Sequence, residues 1–337
     1  MKLRKFDLGL FGRYRAELMG VATLLIIICH MAPNGVVMPT VLRYIFANGG
    51  AGCDVFLFLS GFGICNSLHS NAQKGKSVWF WYYRRYMRLF IPCALIIIPF
   101  NIYVTFPDSC NWFRVLFDAS GFGYLFKAGT LWYVSCTLLL YLLTPFLDKP
   151  LSCKYKWRFV SGLSLLSLLF GYFSSGENSI LHPWQFCIQR FPNYFIAYAM
   201  TSEIMQCKKN GSLWLFVILP AIYCVISFAI NKMFDANISY FWTQGIVFLT
   251  ISTLIIDKLH SNRLNSFLRF VGVISLESYA TNVIILPYFK NVSWYIGNVN
   301  LNYGGWTYYI TATIICLFIS YFINKISIKA LNFVFAR

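Results

Sequence analysis

Residues 51–68 read AGCDVFLFLSGFGICNSL, an apolar run in which Asp54 is the one charged residue. A helix needs about 20 such residues to cross a bilayer. Similar apolar runs recur along the chain. We therefore predict an all-α integral membrane protein with about ten transmembrane helices. They form a single domain, residues 1–337, with approximate spans at 17–31, 51–68, 86–105, 131–147, 159–173, 191–205, 213–230, 240–256, 270–289 and 306–323.

The composition argues against a soluble protein of this size. The chain has 337 residues, of which 58% are hydrophobic and 12% are charged. Soluble domains carry roughly 25% charged residues, so this chain has too few charges to cover a soluble surface. Aromatic residues make up 19%, and Trp and Tyr are enriched where a membrane meets water.

The basic residues indicate how the chain is oriented in the membrane. The net charge of +17 comes from 28 Lys and Arg residues, which lie in short clusters between the apolar runs. Most fall at the two termini and in the even-numbered gaps between spans. This bias predicts cytoplasmic termini and argues against a nucleic-acid partner. We expect a multi-pass protein of the cell (inner) membrane, in a bacterium. The exceptions, on the predicted outer side, are Arg43, Arg114, Lys127, Arg190, Lys232 and Lys290.

The 11 cysteines lie mostly within the apolar runs and show no spacing typical of a metal site. We expect neither a disulfide framework nor a metal cofactor.

Ionisable residues inside a membrane are costly and usually functional. His30 and Asp54 each lie within about one helical turn of the outer end of their antiparallel spans, so they share a depth. An acid bonded to one ring nitrogen of His30 would leave the other nitrogen as a base. The alternative is an interfacial histidine and an Asp54 that caps its helix.

Two further charges have both functional and structural interpretations. Glu277 lies about two turns inside the ninth span, as a catalytic group or as a hydrogen-bonded structural acid. Arg190 lies on the outer side, where it binds an anionic substrate group or extends its charge to the interface.

Clustered arginines at the start of the third span suit phosphate binding, although positive-inside anchoring gives the same pattern. They are Arg84, Arg85 and Arg88.

Several segments resemble the type 3 membrane acyltransferase family, whose members O-acylate cell-surface glycans. Residues 52–62, GCDVFLFLSGF, are close to the family signature Gly-Val-Asp-Leu-Phe-Phe-Val-Leu-Ser-Gly-Phe. The other matching segments are 17–30, 84–92, 131–134, 190–192 with Ala197, and 275–279. Two positions depart from the family pattern. Met19 replaces an arginine, for which Arg15 on the same helix face is a partial substitute, and Asn282 stands where a histidine is frequent.

The resemblance implies acyl transfer, mostly of acetyl, from cytoplasmic acyl-CoA to a glycan hydroxyl, with no metal. His30 would deprotonate that hydroxyl or carry the acyl group itself, and Asp54 would orient it. The expected catalytic residues are His30, Asp54, Arg15 and Glu277. CoA would meet Arg84, Arg85, Arg88 and Ser60, and the acceptor would meet Trp132, Tyr133 and Arg190.

Two questions stay open at this point. The aromatic residues on the predicted outer side could form an interfacial belt instead of an acceptor site. A transporter or flippase of lipid-linked sugars would also need many spans, intramembrane charges and basic inner loops. The expected partners are membrane lipids, acyl-CoA and a glycan acceptor, and the oligomeric state is undetermined.

Overall fold

The computed structural model describes residues 5–105, 111–173, 180–208, 211–234, 238–291, 294–296, 299–301 and 305–335. Helices make up nearly all of them, which confirms the all-α class. The helices are α1 (Gly9–Arg13), α2 (Arg15–Cys29), α3 (Thr40–Ala47), α4 (Ala51–Gln73), α5 (Val78–Thr105), α6 (Trp112–Ala119), α7 (Trp132–Ser152), α8 (Lys156–Phe173), α9 (His182–Ile188), α10 (Phe191–Ala199), α11 (Thr201–Met205), α12 (Leu219–Phe234), α13 (Phe241–Leu259), α14 (Asn262–Val273), α15 (Ser275–Ile284) and α16 (Trp306–Phe335).

Shorter elements connect these helices. Single turns of tighter 3-10 helix form at Asn48–Gly50, Gly123–Phe126 and Leu286–Asn291, and a π-helical turn, Trp214–Ile218, leads into α12. Two antiparallel strand pairs complete the described part of the chain. They are β1 (Lys5–Phe6) with β2 (Gly211–Ser212), and β3 (Trp294–Ile296) with β4 (Val299–Leu301).

All ten predicted spans fall on helical segments, but their limits differ. Five helices in the described residues are long and apolar enough to cross a membrane: Thr40–Gln73, Val78–Tyr103, Trp132–Ser152, Trp214–Phe234 and Trp306–Phe335. Two other predicted spans are interrupted where one residue leaves helical geometry, Met200 between α10 and α11 and Ile274 between α14 and α15. The count of ten spans and the side of the termini stay predictions.

The chain divides into two compact units. The first unit consists of Met1–Ala22, Ala51–Tyr82 and Leu139–Val273. Within it, small residues bring helices close together, as they do in membrane bundles. A Cβ atom added to Gly61 of α4 would lie 2.6 Å from the carbonyl oxygen of Tyr194 in α10. A Cβ atom on Gly245 of α13 would lie 2.4 Å from Cβ of Asp54 in α4.

The second unit consists of Thr23–Gly50, Tyr83–Leu138 and Ile274–Arg337. Its core brings the end of α2 together with α16 and the 3-10 turn after α15. It is formed by Ile27, Met31, Val36, Leu286, Tyr309, Ala312 and Cys316. The Tyr309 hydroxyl donates a hydrogen bond to the Ile27 carbonyl at 2.5 Å. Between α15 and α16, the hydroxyls of Thr281 and Ser320 lie 2.8 Å apart. These contacts fix the end of α2 against α15 and α16.

Two helical glycines of the first unit provide a matched test of this packing. We expect Gly61→Ala to lower the free energy of unfolding by about 1–3 kcal/mol, because its methyl group would meet the α10 backbone. Gly162 in α8 has nothing within 4 Å of a built Cβ. Gly162→Ala is expected to stabilise the protein by about 0.5–1 kcal/mol. Thermal unfolding in detergent measures both, and equal melting temperatures would contradict the close α4–α10 contact.

Candidate functional site

His30 follows the last residue of α2, and its backbone N–H closes the final helical turn on the Ile26 carbonyl at 3.1 Å. Its side chain is half-buried. Ring nitrogen Nδ1 lies 2.6 Å from Oδ1 of Asn282, which is buried on α15. An amide oxygen only accepts hydrogen bonds, so Nδ1 carries the proton and donates it. Nε2 therefore keeps its lone pair and is chemically a base.

Asp54 has two hydrogen-bonding partners in the first unit, Arg190 and Asn193. Its side chain is fully buried in α4, and oxygen Oδ2 pairs with the guanidinium of Arg190. Oxygen Oδ1 accepts a hydrogen bond from Nδ2 of Asn193 at 3.2 Å. Both oxygens are thus engaged within the first unit, and the orientation of His30 by Asp54 stays a prediction. A buried carboxylate pairs more strongly with a charged guanidinium than with a neutral imidazole.

Arg190 is correspondingly unavailable as a free anion site. It is 4% exposed and paired with Asp54. Its guanidinium carbon also lies 4.4 Å from the ring centre of Phe241 and 4.9 Å from that of Phe186, so aromatic faces enclose the charge. Arg190 therefore forms a structural ion pair, and its predicted contact with the acceptor stays a prediction.

Glu277 is buried and is the third residue of α15, because the ninth span is interrupted at Ile274 and is not continuous as predicted. Its Oε1 accepts a hydrogen bond from Nδ2 of Asn324 in α16 at 3.0 Å. This contact fits the structural alternative, an acid that joins two helices.

Glu17 of α2, which the sequence reasoning did not single out, is 1% exposed and accepts a hydrogen bond from Nη2 of Arg269 at 2.5 Å.

The residues predicted to meet the acyl donor lie in both units. In the second unit, Arg84, Arg85 and Arg88 do not open their helix, because α5 already begins at Val78. The Arg84 guanidinium carbon lies 5.3 Å from the ring centre of Phe335, and Arg88 is exposed.

In the first unit, Nε of Arg15 donates a long hydrogen bond of 3.4 Å to the Leu59 carbonyl. Its guanidinium carbon lies 5.7 Å from the ring centre of Phe62. Arg15 therefore lies against α4 beside the half-buried Ser60.

The two predicted acceptor aromatics differ in their surroundings. Trp132 is half-buried at the start of α7. Tyr133 is buried; its ring packs edge-on against Tyr279 at 5.6 Å, and its backbone N–H donates to the Tyr279 hydroxyl at 3.2 Å. Tyr133 therefore packs against α15, and Trp132 is the more accessible of the pair.

The second unit contains a cavity of about 710 Å³, well within the size range of ligand sites. Arg114, Asp118 and Lys127 give it two positive charges and one carboxyl group. Its wall also includes Val283 and Ile284, which directly follow Asn282 in α15. The lining residues are Phe100, Asn101, Asn111, Arg114, Val115, Asp118, Lys127, Ala128, Gly129, Thr130, Val283, Ile284 and Pro287.

Sequence reasoning missed this cavity, although a signal was present. Arg114 and Lys127 are two of the few basic residues on the predicted outer side. Asp118 fits because two neighbours lack side chains: a Cβ atom on Gly129 would lie 1.9 Å from its Oδ1, and one on Gly123 would lie 2.8 Å away.

Comparison with known families identifies the chain. A family model described as an acyltransferase domain, that of the acyltransferase 3 family, matches residues 18–325. The chain belongs to this family. It is therefore an acyltransferase, and its apolar helices agree with a membrane protein. The match includes both His30 and Asn282 and all residues of the cavity. No curated protein and no solved structure matches the chain.

The carboxyl group of Asp118 in this acyltransferase yields a pH prediction. Burial raises the pKa of Asp118 from 3.8 to about 6, and the nearby Arg114 opposes the rise. Between these pH values the folded protein holds a proton that the unfolded chain releases. The contribution of Asp118 to stability therefore falls as the pH rises through this window.

Asp118→Asn removes this titration. We expect the melting temperature of wild type, relative to that of Asp118→Asn, to fall from pH 3.8 to about 6 and then to level off. Parallel melting curves across this range would show that the carboxyl group is not buried as described.

Proposed function

We propose that this acyltransferase transfers an acetyl group from cytoplasmic acetyl-CoA to a hydroxyl of a cell-surface or lipid-linked glycan, with His30 as the general base. The hydrogen bond between His30 and Asn282 carries the proposal. It fixes the proton on Nδ1 and leaves Nε2 with a lone pair on a half-buried ring, as a base requires.

The proposed reaction balances as a direct transfer. Nε2 of His30 takes the proton of the acceptor hydroxyl while the hydroxyl oxygen forms a bond to the acetyl carbonyl carbon. The carbon–sulfur bond of the thioester breaks, and the CoA thiolate leaves and takes up a proton. In the alternative route, Nε2 attacks the acetyl carbonyl carbon, the carbon–sulfur bond breaks and the CoA thiolate leaves. The acceptor hydroxyl then attacks the same carbon, its proton passes to solvent, and the bond to Nε2 breaks to restore His30.

Asn282 is a positioning residue in this scheme. A carboxylate in its place would stabilise a protonated, positively charged ring far more than a neutral amide does. The Asn282 amide instead fixes the ring orientation and the tautomer. The imidazole therefore keeps its lone pair for the acceptor proton.

We assign the donor to the predicted inner side. Arg84, Arg85 and Arg88 supply the positive charge that the phosphates of CoA require, and Arg88 is exposed to such a ligand. Arg15 and Ser60 lie beside each other at α4 and are the candidates for contact with the thioester.

We assign the acceptor to the 710 Å³ cavity. Amide, hydroxyl and charged groups converge there, as sugar hydroxyls require, and α15 forms part of its wall next to the partner of His30. Trp132, two residues after the lining residue Thr130, offers an aromatic face beside it. Two cations against one carboxyl group favour a glycan that carries a carboxylate or phosphate.

The base assignment predicts a large kinetic loss. His30→Gln should lower kcat for acetyl transfer by about 10²–10⁴-fold, which is the usual contribution of a general base, while acetyl-CoA binding is retained. Turnover of acetyl-CoA and its binding by the protein in detergent measure the two effects separately.

The exposed His260 provides the matched control, and His260→Gln is expected to keep wild-type kcat. Full activity of a folded His30→Gln protein would remove His30 from the chemistry. A folded wild-type protein that does not bind acetyl-CoA would overturn the donor assignment instead.

The cavity predicts a preference for acidic sugars. With p-nitrophenyl β-D-glucuronide and the matching neutral glucoside as acceptors, we expect a lower KM for the glucuronide. Arg114→Gln and Lys127→Gln should each reduce this preference roughly two- to fivefold, as expected for partly exposed charges, with little change in kcat.

Lys232→Gln controls for general surface charge, because Lys232 is exposed and lies on the same predicted side. Equal KM values for the two acceptors in wild type, or a preference that both cavity variants retain, would count against this acceptor site.

A further inference from the structure

Three potential metal ligands converge in the first unit, and none of them has a role in the proposed function. Cys65 and His69 are four residues apart on α4 and therefore share a face of the helix. Asp148 reaches them from α7. Sγ of Cys65 lies 3.9 Å from Nδ1 of His69, and Nε2 of His69 donates to Oδ1 of Asp148 at 2.8 Å. One ligand atom from each residue lies within 4.8 Å of the other two.

We propose that Cys65, His69 and Asp148 bind a divalent metal ion of the Zn²⁺ class. Thiolate, imidazole and carboxylate are the three side-chain ligands that Zn²⁺ uses in proteins, with bonds of roughly 2.0–2.3 Å. In a tetrahedral site such bonds set the ligand atoms about 3.4–3.8 Å apart. The separations of up to 4.8 Å would shorten on binding, and the 2.8 Å hydrogen bond between Nε2 of His69 and Oδ1 of Asp148 would give way to bonds to the ion. The fourth position is open to water.

The surroundings of the cluster meet the further requirements of a metal site. Tyr198 of α10 donates to Oδ1 of Asp148 at 2.7 Å, and Ser152 donates to the same oxygen at 3.3 Å. All hydrogen bonds from described residues to this carboxylate end on Oδ1, which leaves Oδ2 for a metal ion. The Tyr198 contact orients the ligand, as outer-shell partners of metal sites do.

Exposure provides a route for the ion. The side chains of His69 and Asp148 are 44% and 27% exposed, whereas Cys65 is 2% exposed. An ion would approach along the histidine and carboxylate and meet the thiol at the closed end. Bound there, it would link α4 to α7, and its binding free energy would add to the stability of the first unit.

The test is a cobalt titration of the full-length protein in detergent after removal of metal with a chelator. We expect one Co²⁺ per chain, with the ultraviolet charge-transfer absorption that a thiolate–cobalt bond produces, and displacement by Zn²⁺. Cys65→Ser should abolish this band, and His69→Asn should weaken Co²⁺ binding at least tenfold. The readout involves no acyl transfer, so it is independent of the proposed function.

Two variants serve as matched controls. Cys153→Ser removes another thiol close to Asp148 in sequence. His260→Asn removes an exposed histidine whose positive φ of 45° suits asparagine. Both should retain the cobalt band. Absence of the band from wild type, or its persistence in Cys65→Ser, would overturn the proposal. Should Cys65→Ser not fold, Asp148→Asn must lower Co²⁺ affinity, and unchanged affinity there would also overturn it.

Discussion

The buried pair of Asp54 and Arg190 is the constraint on which the first unit depends. A carboxylate without solvent exposure is tolerated only when its charge is neutralised and its oxygens are hydrogen-bonded. Arg190 and Asn193 do both, from the turn before α10 and from α10 itself. Gly245 allows α13 to approach the same carboxylate, since any side chain there would collide with Asp54. Three segments are thus held together around one charge.

In the second unit, His30 has a neutral partner, Asn282. A histidine next to a carboxylate holds a second proton more readily than a histidine bonded to an amide. The buried polar groups therefore have different roles in the two units. A full charge pair stabilises the helices around α4, and a neutral hydrogen bond positions a base at the end of α2.

Helix content and site residues differ in how far the sequence determines them. The spans predicted from apolar runs all lie on helical segments. An apolar segment in a membrane has to satisfy its own backbone hydrogen bonds, and a helix does so from local sequence alone. The interruptions at Met200 and Ile274 have no such local signal. Position along the spans predicted a similar depth for His30 and Asp54. Depth does not specify the direction in which a side chain leaves its helix, and that direction decides the partner.

Pairings between distant segments explain the other omissions. Cys65 and His69 have a spacing that places both on one helix face, which was visible in the sequence. The third ligand, Asp148, is 79 residues from His69, and no periodic pattern connects α4 to α7. The cavity around Asp118 was missed for a similar reason, since its wall combines α6, the segment before α7 and the end of α15.

The two acidic residues Asp54 and Asp118 show how exposure separates structural from binding charges. Both oxygens of Asp54 are engaged by protein donors, so a ligand would have to displace them. Asp118 is partly exposed, and in the described part of the chain it forms no ion pair, although Arg114 is on the same helix face one turn earlier. Its carboxyl group and the guanidinium of Arg114 retain hydrogen-bonding capacity for a solute. For this reason the acceptor assignment moves from Arg190 to the cavity that contains Asp118.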